Sequence, residues 1–241
     1  MAQQVSLGIP EFITKDYLIK NFDRMNGRSG GTLSESSYYT HFVPKLASWK
    51  VDKIASLDQF PIYECNCGLV MERFAREACV EDPLMEKVNQ IFDKKKPLVI
   101  YSLGSGGCYQ ELSTCVKLAK QGYTVKQIVL ADTKYTTNQP DLTVKTFSVF
   151  VKLLFPDSQV QIYQNEAEYL ESIKNLEQPK PDIILCIDVE EGGECLISRK
   201  KEYSKMLGSD ECVFAYHNHS SSGITTTFID KIQGSSEGSN T

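Results

Sequence analysis

Long apolar runs are missing from this chain. No window of its 241 residues approaches the ~20 consecutive apolar residues that a membrane-spanning helix needs, so no membrane span is expected. The opening MAQQVSLGIPEF has neither a basic stretch nor an apolar core. That predicts no classical secretion signal and a cytoplasmic chain, with export by a route that reads no such signal left open. Positive charge is also short: 26 Lys and Arg stand against 31 Asp and Glu, a net charge of −5, which excludes nucleic-acid binding through a broad basic surface. The one dense cationic run, Lys94-Lys95-Lys96 before Pro97, falls where a helix ends and complements its C-terminal dipole. Histidine is scarce, and the three present (His41, His217, His219) keep no metal-ligand spacing. The only close cysteine pair, Cys65-Asn66-Cys67, has no second pair to complete a zinc site, so no metal is expected. Most of the eight cysteines, among them Cys115, Cys186 and Cys212, sit inside apolar segments. They read as buried free thiols in a reducing compartment.

What is present is an ordinary globular composition, 41% hydrophobic and 24% charged, long enough for one large domain or a core domain with an attachment. Residues 1–96 read as a helical N-terminal region. Thr14 caps a helix through Leu18, Ile19, Phe22 and Met25, stopped by Asn26-Gly27. The aromatic group Tyr38, Tyr39, His41 and Phe42 reads as core or as a lid, and residues 68–79 as a helix. Asp82-Pro83 starts another helix as N-cap and first residue, with Leu84, Val88, Ile91 and Phe92 on one side.

From Pro97 the pattern changes to strand–helix alternation. Strands are expected at 98–103, 127–131, 160–163, 182–188 and 212–216, with an edge strand at 224–229. Helices are expected between them, starting near Cys108, Pro140, Asn165 and Glu191. Short apolar strands each followed by a helix imply a mainly parallel sheet with flanking helices on both faces, an α/β Rossmann-like domain over 97–232. The last residues, 233–241, are polar and small and read as a disordered tail.

In such a sheet the ligand site lies at the carboxyl ends of the strands, near the switch in strand order. Those ends carry Ser102, Gly104, Ser105, Gly106 and Gly107; then Asp132; then Gln164, Asn165 and Glu166; then Asp188; and finally His217, Asn218 and His219. Three glycines where a strand hands over to a helix permit positive φ and close approach of a ligand to the helix N-terminus. An acid ending the second strand suits ribose hydroxyls, and a polar turn after the third suits an adenine ring.

At these positions the chain resembles the class I S-adenosylmethionine-dependent methyltransferases, over roughly residues 97–216. Ser102-Leu103-Gly104-Ser105-Gly106-Gly107-Cys108 stands where that family has an acid, an apolar residue and Gly-x-Gly-x-Gly. Here Ser102 replaces the acid and Cys108 the third glycine. The resemblance implies S-adenosylmethionine as cofactor, held by residues 102 and 104–107, Asp132, Asn165 and Glu166. It places Asp188 among substrate or catalytic groups, with His217 or His219 as a further proton acceptor. The methyl acceptor would be a small molecule or a protein. A nicotinamide dinucleotide fits less well, because Tyr109 stands where G-x-G-x-x-G has its last glycine.

Blander readings stand beside these. The glycines also suit a plain strand-to-helix turn, Asp132 a turn cap, and the two C-terminal histidines a loop beyond the sheet edge. Two other functions remain open: a non-catalytic Rossmann-like module that binds a protein partner, and a cysteine-dependent hydrolase or transferase. In the last, Cys108 at a helix N-terminus would be the nucleophile.

Overall fold

The computed structural model describes residues 10–22, 62, 76–133, 142–187, 189, 196–208, 210–219 and 225–234. The aromatic group at 38–42, Cys65 and Cys67, Asp188 and residues 235–241 lie outside the described residues; Gln233, expected as the first residue of the disordered tail, instead ends the last strand, where it pairs with Glu211.

Alternation fixes the sheet. In β1 (Leu98–Leu103) all six residues are buried, as a strand covered on both faces requires. β1 pairs in parallel with β2 (Val125–Ala131) on one side and β4 (Ile183–Ile187) on the other. β3 (Gln159–Tyr163) extends beyond β2, and β5 (Glu211–His219) beyond β4, both in parallel register. β6 (Thr225–Gln233) closes the order β3-β2-β1-β4-β5-β6 and runs antiparallel to β5. The mainly parallel α/β sheet read from the sequence is therefore the observed one. The order reverses at β1, so its carboxyl end is the switch point.

Two apolar layers cover the sheet. On one face Leu98, Ile100, Ile128, Leu130, Ile183 and Val213 pack with α2 (Asp82–Ile91), α3 (Tyr109–Lys120) and α4 (Leu142–Leu154). On the other face, Tyr101, Val129, Ile184 and Phe214 meet Tyr169 and Ile173 of α5 (Glu166–Lys174) and Tyr203 and Leu207 of α6 (Leu196–Leu207). The N-terminal α1 (Lys15–Asn21) joins the first layer, where the Phe22 and Tyr109 rings stack at 5.3 Å. Thr14 accepts from the Tyr17 N–H as the expected cap.

Two expectations are corrected. Asp82 is not an N-cap: a π-helical turn over Glu77–Glu81 runs straight into α2, and Glu81 occupies the cap position in helical conformation. The histidines 217 and 219 do not lie in a loop. β5 continues three residues past its apolar run because β6 supplies partners, with His217 opposite Thr227 and His219 opposite Thr225.

At the amino edge one residue ties three strands together. Asp182 donates its N–H to the Val99 carbonyl, accepts the Val99 N–H at 2.8 Å, and accepts from the Val213 N–H with its own carbonyl. Lys96 Nζ reaches the same carboxylate at 2.5 Å. The opposite, carboxyl edge is left to the glycine turn.

Candidate functional site

After Leu103 the chain must turn from a buried strand into α3 within five residues, which demands left-handed backbone. Gly104 has φ +72° and Gly106 φ +43°. A Cβ at Gly104 would also meet Val189 Cγ2 at 3.1 Å, a tight contact that requires the Val189 side chain after β4 to shift by a few tenths of an ångström. Cys108, the residue before α3, is left-handed too, at φ +59°. That is the position where the family resemblance calls for a third glycine. Its thiol is fully buried and shares the core with Leu112 and Cys115.

Asp132 ends β2 beside this turn. The Gly106 N–H donates to Asp132 Oδ2 at 2.8 Å, while the Gly104 N–H donates to the Ala131 carbonyl. The glycine turn and the acid of the second strand are thus in direct contact. Ser105 Oγ is buried beside them with no hydrogen-bond partner among the described residues.

Below the turn lies a carboxyl that sequence reasoning missed. Glu111, in the first turn of α3, accepts from Ser102 Oγ at 2.5 Å, and its second oxygen, Oε2, has no hydrogen-bond partner among the described residues. Its pKa is pushed up to about 7, mainly because burial disfavours the charged form. Asp132 adds to the rise, while the Ser102 bond, its own N–H and Arg76 oppose it. No periodicity marks it, because residues 109–116 of α3 are buried without a break between sheet and N-terminal helices. On the outer side of the same helix, Glu81 accepts from Gln110 and Ser113, and Lys117 bridges Glu77 and Asp82 at 2.7 and 2.8 Å.

After β3, Asn165 is exposed and its side chain caps α5, accepting the Glu168 N–H at 2.9 Å. Glu166, next in line, is held from α6. Arg199 Nη1 donates to its Oε2 and the Tyr203 hydroxyl to its Oε1. Arg199 is buried, and the carboxylate and phenol beside it raise its pKa further against the opposing effect of burial. Tyr101 stacks on Tyr169 at 4.2 Å against the same group, and burial raises the pKa of both phenols. Arg199 stands in the charged run LISRKKE of the helix expected after Glu191, where nothing in the sequence singles it out.

His217 is fully buried, with Nδ1 2.8 Å from Thr227 Oγ1. Its neighbour two residues on, His219, ends β5. The structure therefore brings Ser102, Gly104–Gly107 and Asp132 together. It sets Asn165 and Glu166 one strand further along the same edge and the histidines at its far end.

No protein-family model matches the chain, and no curated protein does. Among solved structures it is similar to a Plasmodium falciparum protein described as a protein-L-isoaspartate O-methyltransferase, in complex with S-adenosyl-L-homocysteine. The identity is 12% and the TM-score 0.38, over 93% of this chain and 99% of that one. It is also similar to Escherichia coli MccB with succinimide, at 15% identity and TM-score 0.34, over 65% of this chain and 44% of that one. MccB with ATP gives 15% identity and TM-score 0.34 over 65% and 45%. The chain thus spans less than half of the MccB chains it matches. These likenesses concern fold alone.

Proposed function

We propose that this chain is an S-adenosylmethionine-dependent methyltransferase acting on a small molecule or a protein. The observation that carries the reading is the contact between the glycine turn and Asp132 at the switch point. It puts main-chain N–H groups, an acid and the buried Ser105 hydroxyl at one spot, a donor and acceptor set suited to a polar nucleoside ligand.

In this reading Gly104, Gly106 and Gly107 allow the ligand to approach the main chain, and Asp132 accepts from ribose hydroxyls. Ser102 and Ser105 line the floor. Asn165 and Glu166 shape the turn beside the adenine; their side chains are engaged by Glu168, Arg199 and Tyr203, so they offer backbone and packing there. When bound, the cofactor supplies an electrophilic methyl group. The protein contributes proximity and orientation, and Asp188, His217 or His219 takes the acceptor's proton where deprotonation is needed.

Calorimetric titration with S-adenosylmethionine and S-adenosylhomocysteine, with NAD as control, tests this. Micromolar binding that Asp132→Ala weakens at least tenfold is expected. Asp132→Asn keeps an acceptor for Gly106 and should fall between the two. Absence of binding to either sulfur ligand refutes the reading.

A second reading has one observation behind it. The Gly106 N–H is taken up within the chain by Asp132, which also suits a plain structural turn in a non-catalytic module that docks a protein partner. NAD or nucleoside binding would exclude it. The cysteine nucleophile has no support in this geometry, because the Cys108 thiol is fully buried.

A further inference from the structure

A buried carboxyl with an idle oxygen lies directly under the glycine turn. Glu111 has 4% of its surface exposed, and Ser105, in the turn itself, has 5%. Glu111 Oε2 and Ser105 Oγ both lack hydrogen-bond partners among the described residues. Leaving such atoms unmatched costs about 1–3 kcal/mol apiece, so they are expected to meet a ligand group or water. They flank the N-terminus of α3, a helix of 12 residues.

The charge pattern says what kind of group fits. Asp132, from β2, stands on the turn through Gly106, and its charge acts on Glu111. Arg76, ahead of the π-helical turn, acts with opposite sign; Ser102 of β1 donates from below; Cys115 lies one turn further along α3. Two carboxyls around one glycine turn repel each other when both are ionised. A positive charge placed between them relieves that repulsion, whereas an anion would be rejected.

Resting on the methyltransferase reading, we propose that Glu111 is the charge-sensing residue of the glycine turn. A positively charged group of the ligand binds against its idle Oε2, and binding is coupled to ionisation of this carboxyl. The proton leaves to solvent, and Ser102 keeps its bond to Oε1. Glu111 thereby supplies from the helix the acid that β1 lacks at Ser102. With the carboxyl pushed up to about 7, the coupling falls in the physiological range.

The test is calorimetry on the full chain between pH 6 and pH 8.5, in buffers of different ionisation enthalpy. S-adenosylmethionine is expected to bind about tenfold more tightly at pH 8 than at pH 6 and to release about one proton at pH 6 and almost none at pH 8. Glu111→Gln should bind with a flat profile and no proton release. Ser102→Ala removes a bond that favours the charged form, so the midpoint should move to higher pH; this arm holds even where Glu111→Gln folds poorly. The positive charge has two sources in the ligand. Equal coupling with S-adenosylhomocysteine assigns it to the ammonium, and coupling with S-adenosylmethionine alone assigns it to the sulfonium. Binding with a flat profile in the unaltered protein, or an unchanged profile in Glu111→Gln, overturns this inference and leaves the methyltransferase reading standing. No binding at any pH removes both.

Discussion

The clamp between α5 and α6 offers a sharp test of how the rim of the site is held. Arg199 has 3% of its side chain exposed and Glu166 16%. Replacing Arg199 by Met keeps most of the volume but leaves a half-buried carboxylate with only the Tyr203 hydroxyl. Breaking a buried pair from one side costs about 3–5 kcal/mol. Tyr203 remains as a donor and Glu166 retains some water, so the low end applies, about 3 kcal/mol. For a chain of this size that lowers Tm by roughly 9 °C. Glu166→Gln together with Arg199→Met removes both charges and should cost only about 1 kcal/mol, because no buried ion is stranded. Urea denaturation followed by circular dichroism gives all the free energies needed for the cycle. If Arg199→Met costs less than about 0.5 kcal/mol, or the double variant costs the sum of the two single changes, the pair behaves as a surface contact and the reasoning fails.

Other outcomes follow from single residues. Glu111 loses its proton near 4.5 when unfolded but holds it to about 7 in the fold, so its stabilisation is complete below pH 4.5 and is lost as pH rises through 7. Between those limits the protein should lose up to about 3 kcal/mol relative to Glu111→Gln, measured as the difference in urea midpoints. At Cys108 the left-handed backbone reverses the usual helix order: Cys108→Gly should be more stable than Cys108→Ala by about 1 kcal/mol, and the opposite order in chemical denaturation would show that the turn relaxes. Leu176 is left-handed at φ +57° and 87% exposed. Leu176→Gly should therefore raise the urea midpoint by the equivalent of about 0.5–1 kcal/mol.

The sheet was legible because apolar strands and helical repeats differ in period. The expected limits of β1 match the observed ones, and those of β3 and β4 agree to within a residue. β5 and β6 came out longer than expected. Each borrows hydrogen bonds from the other, so residues such as His217 of β5 and Asp230 of β6, which lie beyond the expected strands, are paired. The glycine turn and Asp132 were readable from type and position. Glu111, Arg199 and Tyr203 were not, because a charge or phenol in a helix looks solvated until its partner is known, and the partners lie 9, 33 and 37 residues away. Asp82 was misplaced for a related reason: the Asp-Pro signal is sound, but a π-helical turn already carried the chain into the helix.

The strand order also dictates a timetable. β1 lies at the centre of the sheet, yet its second neighbour is β4, and the bond from Val99 to Asp182 spans 83 residues. On a ribosome adding roughly 5–20 residues per second, β1 waits on the order of 4–17 s with one edge bare. During that interval β2 and β3 can add to its other side, but the switch point does not yet exist. The glycine turn can be assembled early, but the switch in strand order it borders is completed only when the fourth strand is made.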